Sequence, residues 1–345
     1  MLFSAGMGIG LVFWGAAEPL SHFNTPLYGE SGTGDAAKTA MHWGLHPWAI
    51  YATVGLALAF FKFRKQSTGL VSSILHPLFG DSIKGGWGTM IDTLVVFATV
   101  IGVATSLGFG AIQISGGLSY VFGMEQSVFM ELIIIAIVTV LFMLSAMTGL
   151  NKGIKFLSNT NLVLAIALLL LVFFLGPTNF ILNLFTNTIG SYVQNLPSMS
   201  FRTAPFDGEN SGWINDWAIF YWAWWIAWAP FVGTFIARVS RGRTIREFVS
   251  GVLLVPTIFG GLWFTVFGGT AIHMDMFQGT NIIEQVTMGG EEIALFAMQK
   301  TSQQGLSYPL FPYYLSVRFY HICGLSYFRT WYADIRGELR PFYSH

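Results

Sequence analysis

The chain has 345 residues, 53% hydrophobic and only 10% charged, with a formal net charge of zero and a mean hydropathy of +0.59. Soluble domains carry about 25% charged residues, so this composition excludes that class, and the balanced charge gives no footprint for nucleic acid. A single cysteine, Cys323, excludes both a disulfide framework and a cysteine metal site.

The opening MLFSAGMGIGLVFWG has neither a basic leader nor a small-residue cleavage site, and reads as the interior of a spanning helix. Hydropathy places seven spans at roughly 2–22, 43–62, 89–111, 127–149, 158–176, 215–238 and 249–272. One alternate set of loops holds ten cations: Lys62, Arg64, Lys65, Lys84, Lys152, Lys155, Arg238, Arg241, Arg243 and Arg246. The other set holds two, Lys38 and Arg202. Positive charge stays on the cytoplasmic side, so the first span runs outward and the sixth inward.

In the first span Gly6, Gly8 and Gly10 form GMGIG. Two readings stay open: a helix break whose freed carbonyls coordinate a small cation, or close helix packing of the small-xxx-small kind. The second span opens HWGLHPWAIY, with Trp43, Trp48 and Tyr51 as candidate cavity aromatics; Trp48 and Tyr51 share a helical face. His42 and His46, one turn apart without an accompanying carboxylate or cysteine, read as interfacial hydrogen-bonding groups rather than a metal pair. Residues 180–196 read as an interfacial helix on the outer face, with a packed loop helix as the alternative. RGRTIREF reads as a short amphipathic cytoplasmic helix or simply as a topogenic charge cluster.

The sixth span, NDWAIFYWAWWIAWAPFVGTFIARV, carries Trp217, Trp222, Trp224, Trp225 and Trp228. Anchoring tryptophans sit at the two interfaces, whereas these continue into the membrane. Indole faces attract cations by about 0.5–2 kcal/mol and suit a quaternary ammonium, which has no N–H to donate. Aromatic packing between helices is the alternative for each one taken singly. Glu18, Asp92 and Glu131 each lie near a span end and read as helix-terminal groups without an evident partner. No metalloprotease motif, nucleophile elbow or phosphate-binding glycine loop appears, so the sequence gives no catalytic set and no organic cofactor site.

GMGIGLVFWGAAEPL at Gly6–Leu20, HWGLHPWAIY at His42–Tyr51 and DWAIFYWAWWIAWAPFVGTFIARVSRGRTIREFV at Asp216–Val249 resemble the betaine/carnitine/choline transporter family, from Met1 to about residue 298. The resemblance implies an all-α polytopic membrane protein with part of a LeuT-type fold. That fold has two leading helices followed by two inverted five-helix repeats, and this chain begins at the third family helix. Residues 1–178 would form the first repeat, 179–214 an extracellular loop with an interfacial helix, and 215–298 the start of the second repeat.

Carried over by motif, Trp43, Trp48, Tyr51 and Trp225 match a box for the trimethylammonium group. Trp224, Trp228 and Trp222 match the path toward the cytoplasm, and Phe13 and Phe231 match gating aromatics. Backbone carbonyls of Ser4 and Met7 match part of a sodium site. Gly10 stands where choline-type members carry Asp, which favours a zwitterionic substrate. The resemblance therefore implies sodium-coupled uptake of glycine betaine or a related compatible solute at the cell membrane, and a homotrimer. A choline importer, a carnitine exchanger and a fragment without transport are the competing readings.

The rest of the family's sodium site is a TSADS motif that this sequence, as written, lacks. Residues 299–345 read as a frameshifted, non-native tail. If each new codon takes the last two bases of one codon and the first of the next, Tyr320 through Ala333 can be re-read as ITSADSATFVLGM, thirteen consecutive permitted positions. A divergent natural tail is the alternative.

Overall fold

The computed structural model describes residues 8–26, 42–147, 150–203 and 208–305, and these are helical with no strand. In order they give α1 (Gly8–Asn24), α2 (Leu45–Ala59, continued by a π-turn Phe60–Arg64), α3 (Gly86–Phe122), α4 (Val128–Met147) and α5 (Leu150–Leu175). Then follow α6 (Thr178–Ser200), α7 (Phe220–Val239, preceded by a π-helical Ile214–Ile219), α8 (Ile245–Gln278), α9 (Ile282–Gly289) and α10 (Ala294–Gly305). Within the described residues, each expected span falls on a helix. By length and hydropathy alone, three described helices reach across a bilayer, 86–122, 211–239 and 245–278, and the bent pair 162–175 with 178–200 is a fourth candidate.

The sides of α3, α4 and α8 turned away from the core are apolar: Leu94, Phe97 and Ile101, then Phe129 and Leu132, then Leu254, Val255 and Ile258 are all exposed. Rows of exposed aliphatic and phenyl groups on long helices belong against lipid.

Three boundaries differ from the sequence reading. The span expected at 89–111 runs on to Phe122 and stops at Gly123, which takes the left-handed conformation at φ 67°. Its glycine-rich end stays helical because Gly116 and Gly117 are covered by Glu292 and Phe296, and packing outweighs their weak helix propensity. RGRTIREF is not a separate helix: Thr244 caps α8 directly, its hydroxyl accepting from the Glu247 N–H while the Glu247 carboxylate accepts from the Thr244 N–H, a reciprocal capping box.

The third difference follows α5, where Gly176-Pro177 turns the chain by 111° into α6. Pro177 has no N–H to continue the ladder and disfavours a helical residue before it. The underside of α6 buries Ile181, Leu184, Thr188, Tyr192 and Met199, while Leu182, Ile189 and Val193 stay exposed. The packed and interfacial readings of this segment thus describe its two faces.

The core forms where α1, α2, α7 and α8 meet. α2 and α7 cross closely at Gly55 and Gly233: a Cβ on Gly55 would stand 3.2 Å from the Gly233 carbonyl, and one on Gly233 would stand 2.9 Å from Val54. Small residues at such a crossing let two backbones approach within a bilayer.

Candidate functional site

That close crossing brings together the aromatics picked out from the sequence. Trp43, Trp48, Tyr51 and Trp225 are all buried. Their rings form a chain: Trp48 to Tyr51 at 5.6 Å, Tyr51 to Trp225 at 6.2 Å and Trp225 to Trp43 at 4.9 Å, every pair near perpendicular. Trp224 stacks on Trp225 at 5.1 Å and meets Trp43 edge-on at 6.2 Å. In each such pair one ring sets its positive edge against the negative π face of the other.

The polar tips divide into two groups. Trp43 Nε1–H donates to Glu18 Oε2 at 2.6 Å, and Trp225 Nε1–H donates to the His42 carbonyl at 2.9 Å. Trp48 Nε1, the Tyr51 hydroxyl and Trp224 Nε1 are buried without a hydrogen-bond partner among the described residues. A buried donor left unpaired costs about 1–3 kcal/mol, so three around one set of rings are a feature of the site to be explained.

Gly10, helical in α1, lies against the same rings. A Cβ there would come within 2.7 Å of Trp43 and 3.1 Å of Trp224, so the residue must be glycine for the indoles to sit where they do. For this glycine close packing is the operative reading. Gly8 is helical as well, whereas Gly6, Ser4 and Met7 lie outside the described residues.

The remaining expected residues are more dispersed. Phe13 packs on Trp14 and Phe109, at 4.7 and 5.1 Å. Phe231 meets Trp228 at 5.4 Å, and Trp228 lies over Gly102 of α3. Trp222 points the other way, to His46 at 5.4 Å and toward the Tyr192 and Met199 side of α6. Tyr192 and Ser200 of α6 also hold the start of α2: the Leu45 N–H donates to the Tyr192 hydroxyl at 3.0 Å, and Ser200 Oγ lies 2.8 Å from His46 Nε2.

Sequence reasoning missed Glu18. It is not an unpartnered helix-terminal group but a fully buried carboxylate that receives four donors. Tyr221 O–H joins Trp43 on Oε2 at 2.6 Å, while His42 Nδ1 and His22 Nε2 approach Oε1 at 2.7 and 3.3 Å. An ionised carboxylate has about four lone-pair sites, and all are used here, which is what allows it to lie at depth. His42 therefore is no interfacial group; it is buried and takes part in this node. A carboxylate inside an apolar span is itself a signal for partners, and His22 one turn along was the legible one. Asp92 is also partnered, accepting from the Ser72 N–H at 3.0 Å and its hydroxyl at 2.6 Å.

A model of the betaine/carnitine/choline transporter family matches residues 1–320, beyond the position near 298 where the resemblance was expected to end. The chain belongs to the betaine/carnitine/choline transporter family. It is similar to the glycine betaine transporter OpuD of Bacillus subtilis, 56% identical over 294 residues, which cover 83% of this chain and 57% of the relative. It also resembles a probable glycine betaine transporter of Desulfitobacterium hafniense, 47% identical over 303 residues, 86% of this chain and 60% of that one. The ectoine/hydroxyectoine transporter of Virgibacillus pantothenticus is 47% identical over 294 residues, 83% of this chain and 58% of the relative. The chain thus spans less than two thirds of the length of these relatives. Membership makes it a multi-pass cell-membrane protein of a transporter family rather than an enzyme.

Proposed function

We propose that the full-length transporter takes up glycine betaine, or a closely related zwitterion with a quaternary ammonium, in symport with sodium. The observation that carries this reading is the pairing of four edge-to-face rings with buried donors that have no protein acceptor. The rings of Trp43, Trp48, Tyr51 and Trp225 suit a trimethylammonium group that cannot donate a hydrogen bond. Trp48 Nε1–H, Tyr51 O–H and Trp224 Nε1–H suit a carboxylate. A zwitterion carries both groups and brings no net charge, in keeping with glycine rather than an acid at position 10. The similarity to several glycine betaine transporters supports this substrate class.

Sodium rests on the match of Ser4 and Met7 to part of a family ion site, and the homotrimer rests on family resemblance. In cells or vesicles carrying the full-length protein, labelled glycine betaine should accumulate in sodium buffer and stop accumulating in potassium buffer. Excess unlabelled betaine should compete more strongly than choline. Uptake that ignores sodium overturns the coupling, and preferential competition by choline overturns the substrate assignment.

A further inference from the structure

Glu18 and His22 stand one turn apart on one face of α1, and His42 enters from the segment that leads into α2. One ligand atom from each of Glu18, His22 and His42 lies within 4.8 Å of the other two, and none of the three side chains is exposed. We propose that this trio is a binding site for a divalent transition-metal ion of the zinc class.

Two imidazoles and one carboxylate oxygen form the donor set that borderline divalent ions prefer. Bonds of about 2.0–2.2 Å in a tetrahedral arrangement put ligand atoms roughly 3.3 Å apart. Two of the present separations, 2.7 Å from Oε1 to His42 and 3.3 Å from Oε1 to His22, already lie near that spacing. The other carboxylate oxygen is already fixed by Trp43 N–H and Tyr221 O–H, which aim Oε1 at the two imidazoles as outer-shell donors do around a metal ligand.

The surroundings also favour added positive charge. His22 lies against Trp213 and Trp217 at 5.1 and 4.5 Å, and His42 stacks on Tyr221 at 4.7 Å, so aromatic faces line the trio. His22 is in the last turn of α1, two residues before the exposed Asn24 and Thr25. The proton count closes without release. Each neutral imidazole would ligate through the nitrogen that now faces Oε1 and carry its proton on the other ring nitrogen, which for His42 Nε2 is buried without a partner among the described residues. The ion then brings two positive charges against one carboxylate.

An ion here would sit one residue from two walls of the aromatic box, since Glu18 holds Trp43 and the His42 carbonyl holds Trp225. The site does not depend on the transport reading, and its test does not use uptake.

The purified chain, free of any histidine tag and held in detergent, should be titrated with cobalt(II) and followed by visible absorption. One cobalt per chain should give a low-symmetry tetrahedral spectrum that zinc(II) abolishes. His22→Phe, which keeps a ring against Trp213 and Trp217, should weaken binding by at least about tenfold, and His22→Gln should do the same. Circular dichroism melting without metal identifies which variant is folded and therefore informative. Absence of the cobalt spectrum, or equal binding in a folded His22 variant, overturns the proposal.

Discussion

The indole N–H of Trp225 donates to the main-chain carbonyl of His42 at 2.9 Å, joining the tryptophan-rich α7 to the segment that enters α2. The bond fixes the tilt of one wall of the box, while the ring itself faces Trp43 and Tyr51. Trp225→Ala removes both the wall and the bond. A cation–π contact of about 1–2 kcal/mol corresponds to a roughly 5- to 30-fold rise in KM for betaine uptake. Trp225→Phe keeps the face and loses the bond, so its KM should lie between. An unchanged KM in the alanine variant would make Trp225 a packing residue only.

Trp48→Phe separates ring from donor at a position whose N–H has no protein acceptor. If that N–H addresses a carboxylate, KM for betaine should rise by about 1 kcal/mol, roughly fivefold, while melting of the purified protein barely changes. A variant indistinguishable in KM would remove Trp48 from carboxylate recognition.

Gly10→Asp tests whether that position chooses substrate by charge alone. Its Cβ would lie 2.7 Å from Trp43, and overpacking costs about 1–3 kcal/mol. Moving Trp43 aside also breaks its bond to Glu18. The variant should lose most betaine uptake and melt lower without gaining choline uptake. Efficient choline transport by this single substitution would contradict the steric account.

The clustered aromatics were singled out in part from the residues, since five tryptophans in one apolar stretch depart from interfacial placement and Trp48 and Tyr51 share a face at helical spacing; the grouping of Trp225 with them came from the family resemblance. Glu18 was not, because three of its four donors lie 24, 25 and 203 residues away. Local reasoning sees an acid near a helix end and assigns it to water. The Thr244/Glu247 box was written in the sequence as T-x-x-E, but the charge run around it drew the eye to topology instead. Orientation of Trp222 depends on α6, whose path is set by one Gly-Pro step and then by packing, which periodicity cannot supply.

Outside the spans, Glu291 offers a pH test. Burial holds its carboxyl above the ordinary value, against the Ser21 hydroxyl that donates to it at 3.1 Å. A raised folded-state value means that charging this group costs stability. The cost is absent below the ordinary 4.5 and grows as pH climbs from there through the folded value. Glu291→Gln keeps an acceptor for Ser21 and removes the charge. It should raise the melting temperature at neutral pH and leave it unchanged in acid; an equal effect at both would reject the assignment.

The tail from 306 onward lies outside the described residues, and its reading as frameshifted is settled by nucleotides alone. Sequencing across codons 298–333 should show codons that yield ITSADS in the shifted frame. Codons that cannot encode it there would establish the natural-tail alternative.

The Tyr192 hydroxyl on α6 takes the Leu45 N–H at the head of α2, and the far end of α6 runs on covalently toward α7. α6 is therefore a strap fastened to the head of α2 by Tyr192 and Ser200 and continuous in the chain with α7. If α2 rocks, it draws on α6 through Tyr192 and Ser200, and α6 in turn draws on α7. Motion of one wall would then have two routes to the other, across the rings and along the strap. Cutting Tyr192 back to Phe would slacken the second route while leaving every ring in place.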